Sequence, residues 1–290
     1  MAPAGVGTTT AASLDSLGEA LKQLGFEFDD VKAAGTPADS STESSPSLPD
    51  YSEWSARVAR MIEHENWSAA LQPVVEEYDM TCRAYGECDE RSLQVLGTYA
   101  GVLWQLNRNE DARELLEELV AKRSAVVASL SCTHLTSVKL ASARDLLTDA
   151  LIELSTVLLE TEHAMDAVPL LEQALDIRTS LHGPASEDAL QARDQLSRAF
   201  NEAGMASQAI DCLRTALSVK QDVHGLGSQE VADCHNELAV VLQSSGDGAA
   251  AVTEAQLALG LYAALFGDSH LYTATCISNL ATLMMQQPDT

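Results

Sequence analysis

The chain has 290 residues, 43 acids against 17 bases, a net charge of −26 and only 4% aromatic residues. A surface this acidic repels phosphate backbones and anionic head groups, which argues against nucleic acid and direct membrane insertion and favours basic partners. Scarce aromatics beside abundant Ala and Leu suit thin helix–helix packing better than a β-sandwich.

Residues 1–50 form a first, largely disordered segment. Within it Leu14, Leu17, Leu21 and Leu24 follow helical spacing, which predicts a short amphipathic helix over 14–26. Leu17, Leu21, Leu24 and Phe26 also fit the loose pattern of a leucine-rich nuclear export signal. Docking back onto the rest of the chain, export and disorder all stay open for this helix. Residues 33–50 carry Gly35, Pro37, Pro46, Pro49 and a Ser/Thr cluster and read as a linker. The N-terminus has neither the basic region and apolar core of a secretory signal nor the arginines of a mitochondrial one. A cytoplasmic location is expected, with a plastid address or nucleocytoplasmic shuttling as alternatives.

From Tyr51 onward the chain reads helical and repeats itself. Leu154, Leu196, Leu238 and Leu280 are each 42 residues apart, as are Ala167, Ala209 and Ala251, and Gly183, Gly225 and Gly267. A fixed period in which Leu, Ala and Gly each keep their own phase marks a repeat array. Phased backward, Ala167 maps to Ala112 at 55 and Ala112 to Ala70 at 42, so one repeat is longer by 13 residues, within 121–148. The period predicts helix pairs at 52–64 with 68–84, 89–106 with 110–129, 134–161 with 165–182, 187–203 with 207–224, and 229–244 with 248–266. A last helix over 270–286 caps the array. Residues 51–290 are thus an all-α solenoid of about five antiparallel helix pairs.

Local signals agree with the period. Gly204 ends one helix and Gly225 the next, as Gly does after a last turn. Three residues beyond each repeat glycine stand Asp89, Ser186, Ser228 and His270, of which the first three are good N-caps. Pro73 and Pro169 are expected in the first turns of their helices, where a missing N–H is harmless. The six cysteines form no Cys-x-x-Cys pair, and Cys234 and Cys276 share one repeat position, which reads as a small buried residue in a reducing compartment. There is no unbroken apolar run of 18 residues, so no membrane span is expected.

Charge is uneven. Arg108, Arg113, Lys122, Arg123, Lys139 and Arg144 fall within one 37-residue window, while nothing after Lys220 is basic. Chemistry is not evident. Cys132 and His134 lack a second ligand pair, so no metal is expected. His182 and His224 occupy one repeat position near helix C-termini, where the dipole favours imidazolium. There is no Gly-rich phosphate loop, Gly-x-Ser-x-Gly or His-Glu-x-x-His. No cofactor and no enzymatic activity are expected. Trp54, Trp67 and Trp104 read as packing residues.

The segments Leu175-Asp176-Ile177 through Gly183-Pro184, Leu217-Ser218-Val219 through Gly225, and Leu259-Gly260-Leu261 through Gly267-Asp268-Ser269-His270 resemble the 42-residue kinesin light chain-like subclass of the tetratricopeptide repeat. Asn236-Glu237-Leu238-Ala239 and Asn279-Leu280-Ala281 resemble that subclass's Asn-Leu-Ala. The chain departs from it in the insertion and in lacking His-Pro after Gly183 and Gly225. The resemblance implies a right-handed superhelix whose first helices line a concave, peptide-binding face. Mapped by period, that groove receives Asp149 and Glu153, then Gln191, Asp194, Arg198 and Asn201, then Asp233, Asn236, Glu237 and Gln243, and finally Ser278 and Asn279. Asn and Gln can pair with an extended peptide backbone, and carboxylates would select Lys or Arg on it. The Lys/Asn/Lys/Arg set that holds chaperone C-termini in such arrays is not matched. The expected function is a protein-interaction scaffold or adaptor for an extended, basic partner segment. The alternative is a structural or assembly subunit that docks or forms homo-oligomers through its convex or insertion surfaces. In a third reading, helix 14–26 folds back to block the groove.

Overall fold

The computed structural model describes residues 51–132 and 137–286, and helix 14–26, the linker, Thr133–Thr136 and residues 287–290 lie outside them. The side chains of residues 51–54, Trp54 among them, are likewise outside the description. Among the described residues eleven helices follow one another: α1 (Tyr51–Glu63), α2 (Trp67–Tyr85), α3 (Glu90–Gln105), α4 (Asn109–Ser131), α5 (Ser137–Glu160), α6 (Ala164–His182), α7 (Glu187–Glu202), α8 (Ala206–His224), α9 (Gln229–Ser244), α10 (Gly248–Phe266) and α11 (Leu271–Gln286). Each packs on the helix before and after it, so the array is a solenoid of antiparallel pairs, with odd-numbered helices as first members. No strand occurs among the described residues.

The period works as expected. Ala70, Ala112, Ala167, Ala209 and Ala251 are fully buried, and the missing side chain lets the second helix of each pair approach the first. Leu93, Leu96, Leu103, Leu119, Leu151, Leu171, Leu213 and Leu238 fill the space between helices, each contributing about 1.5–3 kcal/mol by leaving water. Cys234 and Cys276 are buried at their shared position, and their thiols lie 3.4 Å from the Leu213 and Ala255 carbonyls.

The helix ends repeat too. The side chains of Asp89, Ser186 and Ser228 accept backbone N–H bonds in the first turns of α3, α7 and α9. His270 does the same through Nδ1, accepting from the Tyr272 N–H at 3.3 Å. First helices α1, α3, α5, α7 and α9 close on a positive-φ residue: Glu65, Asn107, Glu162, Gly204 and Gly246. The next N–H then reaches back five residues, from Asn66 to Met61, Arg108 to Leu103, His163 to Leu158, Met205 to Phe200 and Asp247 to Leu242.

The extra residues of the long repeat lengthen two helices, as the expected spans 110–129 and 134–161 placed them: α4 has 23 residues where α2, α6, α8 and α10 have 19. The following helix, α5, has 24 where α3, α7, α9 and α11 have 16. Other particulars differ from expectation. Pro73 and Pro169 lie in the second turn, not the first, because α2 and α6 start at Trp67 and Ala164. Each therefore removes one intrahelical hydrogen bond. Finally, α10 is long and apolar enough, by length and composition, to cross a membrane. It is placed here as a repeat helix, with Ala251, Ala255, Ala258 and Tyr262 buried and Glu254 hydrogen-bonded to His235 of α9 at 2.6 Å.

Candidate functional site: the cleft between α7 and α9

All twelve expected groove residues lie on first helices: Asp149 and Glu153 on α5, four on α7, four on α9, and Ser278 and Asn279 on α11. Six of them converge. Asp194, Asp233, Asn236 and Glu237 line a cavity of about 260 Å³, together with Glu187, Leu190, Glu230 and three residues from the second helices beneath, Lys220, His224 and Tyr262. Asp194, Asn236 and Glu237 also border a second cavity of about 340 Å³, with Arg198, Asn201, Gln195, Ser197, Leu213, Val240 and Val241. The two share a wall and form one cleft.

The remaining six are dispersed. Glu153 borders a separate apolar cavity of about 200 Å³ between α3 and α5, over Gly97, Gly101 and Trp104. Burial raises its carboxyl pKa against the opposing pull of Arg123. Asp149 and Gln191 are both engaged by Arg178, at 3.0 and 3.4 Å. Asn279 donates to Asn236 Oδ1 at 3.4 Å, extending the row toward α11. Gln243 is half-buried and Ser278 exposed, both outside these cavities.

One row of residues escaped the sequence reading. Thr81, Arg123, Arg178, Lys220 and Tyr262 occupy the same position on successive second helices, spaced 55 residues across the long repeat and 42 elsewhere, and all are buried. Three of them reach through to the groove carboxylates. Arg178 Nη2 donates to Asp149 Oδ1 at 3.0 Å. Lys220 Nζ donates to both oxygens of Asp194, at 2.8 and 2.7 Å. The Tyr262 hydroxyl donates to Asp233 Oδ1 at 2.5 Å. Because the chemistry changes from repeat to repeat while the role persists, a search for recurring identities does not find the row.

Electrostatics follow from this. Burial works against the Lys220 charge, but the Asp194 carboxylate holds its ammonium above the ordinary value. Asp194 is itself raised, by burial first, with Lys220 opposing. Glu237 opens to the cleft yet is flanked by both walls; this enclosure, and then the neighbouring Asp194 and Asp233 charges, push it up to about 7. Among the described residues no three His, Cys, Asp or Glu side chains converge as a metal site would require.

Residues 146–222 and 231–272 each match the tetratricopeptide repeat family. No curated protein matches the chain by sequence. Among solved structures, the nearly identical repeats of a protein of Podosopora anserina, described as a kinesin light chain, superpose with a TM-score of 0.63 at 16% identity, covering 74% of this chain and 96% of that one. The apo form of RapI superposes at 0.59 with 9% identity, covering 81% and 85%. YrrB, described as a TPR protein with an unusual peptide-binding site, superposes at 0.50 with 13% identity, covering 80% and 100%. At these identities the likeness is one of fold. Residues 146–222 and 231–272 are thus tetratricopeptide repeats, and their 42-residue period and capped helix pairs give them the kinesin light chain-like form.

Proposed function

We propose that this protein is a non-catalytic, cytoplasmic interaction scaffold that captures an extended, basic segment of a partner protein in the cleft between α7 and α9. The observation that carries this reading is the smaller cavity of that cleft, where five carboxylates face one ammonium. Lys220 neutralises Asp194, but Asp233 has only a neutral phenol as its hydrogen-bonded partner there, and Glu237 meets no base at bonding distance in the cavity. Such a pocket attracts a lysine or arginine and repels an acidic segment. Asn236 at the shared wall can both donate to and accept from an extended backbone. A TPR array with a peptide-binding site is on record in the name of YrrB, which supports a peptide as the ligand class.

The test is selection of a random peptide library against the whole chain and against an Asp233→Asn, Glu237→Gln variant. Enrichment of Lys and Arg on the wild type, lost on the variant, is expected. Enrichment without charge bias, or the same peptides from both proteins, would sink the reading.

A second reading, assembly into a larger complex or a homo-oligomer, is favoured by one surface. Leu257 and Leu265 of α10 and Leu271, Ile277 and Met284 of α11 are 43–73% exposed, an unusual density of large apolar side chains at one end of an array. Light scattering over a concentration series tests it, and a monomer at every concentration removes the homo-oligomer.

A further inference from the structure

We infer that the α7–α9 cleft recognises a two-residue signature: a lysine or arginine whose head enters the acidic cavity, and an aliphatic side chain two residues away that fills the neighbouring cavity. This rests on the groove reading above and adds what the bound segment must carry.

The two cavities differ in chemistry and lie in line. The acidic one is bordered by α7 from Glu187 to Asp194 and by α9 from Glu230 to Glu237, with the polar ends of Lys220 and Tyr262 as its floor. The other is bordered by α7 from Asp194 to Asn201 and by α9 from Asn236 to Val241, with Leu213 beneath and Val240 and Val241 on its wall. The offset along the helices is five to seven residues, which at the rise of an α-helix is about 7–10 Å. An extended chain returns its side chains to the same face every second residue, about 7 Å apart. Adjacent residues point to opposite faces, so the spacing selects i and i+2.

Each cavity specifies its occupant. The acidic one carries an excess of carboxylates too spread for a metal ion but suited to a long side chain ending in a cation. In the second, Val240 is 45% exposed, a large apolar side chain left facing the cleft. Arg198 at its rim is already paired with Glu202 at 3.0 Å and Asp194 with Lys220, which leaves Glu237, at the wall shared with the acidic cavity, as the carboxylate of this lining without an ion pair. Gln195 in this lining has a buried Oε1 without a hydrogen-bond partner.

The experiment is fluorescence polarisation of the whole chain against terminally blocked seven-residue peptides on a serine–glycine frame. The probes carry arginine–serine–leucine, its reverse, the same with leucine replaced by serine, the same with arginine replaced by glutamine, and arginine next to leucine. The better of the first two should bind about tenfold tighter than any of the other three, the size expected for partly burying one leucine. Val240→Gln should erase the advantage conferred by leucine and leave the leucine-free peptide unchanged. If arginine peptides bind equally with and without leucine, the signature is wrong and the basic-segment reading stands. If no arginine peptide exceeds its glutamine counterpart up to millimolar concentration, both fall. The wild-type comparison decides this even if a variant folds poorly.

Discussion

Replacing Lys220 with methionine tests the electrostatic construction of the cleft directly. The lysine is 7% exposed and its ammonium makes two hydrogen bonds, at 2.7 and 2.8 Å, to an Asp194 carboxylate that is 33% exposed. Methionine keeps most of the apolar stem and removes the charge. Breaking a fully buried pair costs about 3–5 kcal/mol, because the abandoned charge stays desolvated. Asp194 keeps a third of its exposure, so water recovers part of this, and a loss of about 2–3 kcal/mol is expected. For an array of this size that corresponds to roughly 5–10 °C in the melting temperature. The loss must depend on pH. Lys220 is the group opposing the rise of the Asp194 and Glu237 pKa values, so removing it lifts both further. A carboxyl raised in the folded state destabilises above its unfolded pKa and does so fully above its folded one. The penalty should therefore be largest at about pH 8 and shrink toward about pH 5. Thermal melts by circular dichroism of wild type and variant at both pH values supply the difference. A second change, Asp194→Leu in the Lys220→Met background, should restore stability to within about 1 kcal/mol, since an apolar pair can replace a buried ion pair. A variant as stable as wild type at about pH 8, or a loss that does not change with pH, would refute the reasoning.

Three further outcomes are expected. Binding of a basic peptide should strengthen as pH rises through about 7, because a bound cation favours the ionised Glu237 and its affinity is lost as that carboxyl protonates; Glu237→Gln should flatten the profile, and a profile unchanged by that variant would count against the assignment. Gly183→Ala should cost about 1–3 kcal/mol in a melt through backbone strain alone, since φ is 90° and ψ 161° while an added Cβ meets nothing within 4 Å; an unchanged melt would show that the α6–α7 turn adjusts freely. Glu162→Gly should stabilise by about 0.5–1 kcal/mol by relieving a left-handed residue at an exposed position with φ 62° that Gly204 fills in the next repeat; a loss would mean the Glu162 side chain holds something the turn needs.

The architecture was legible because it is carried by residues whose role depends on identity. Only Ala fits where two helices cross, and only Gly adopts the turn at 183 and 225 without cost, so both recur letter for letter. The caps at Asp89, Ser186 and Ser228 were legible for the same reason. The C-terminal turns of α1, α3 and α5 were less so, because Glu65, Asn107 and Glu162 fill a left-handed position that Gly204 and Gly246 make obvious. The groove was legible as a stripe but not as a site. Period places Asp149 and Asp233 in one register, with Gln191 between them, and Asp194 three residues on, all on first helices. What separates them is their partner on the second helix, and that position changes from Arg to Lys to Tyr.

That change explains why one cleft stands out on a face that is acidic throughout. Arg178 and Lys220 each bring a full positive charge under the first helices and cancel Asp149 and Asp194. Tyr262, one repeat further on, satisfies the Asp233 hydrogen bond without cancelling its charge. No Lys or Arg follows Lys220 in the sequence to take over that task. Negative potential therefore collects where the cationic row ends, at Asp233 and Glu237, and it shows in Glu237, whose carboxyl is pushed up to about 7 by its enclosure and then by the neighbouring carboxylates. On this reasoning Tyr262→Lys, which continues the cationic row by one repeat, should weaken capture of a basic segment more than any single neutral substitution on the groove surface. The variant leaves every first-helix side chain of the groove in place and changes only the cavity floor, so a reduced affinity for the arginine–serine–leucine peptide with an unchanged melt would locate the cause in the charge beneath the cleft. Unchanged affinity in a folded Tyr262→Lys protein would mean that the row serves packing alone.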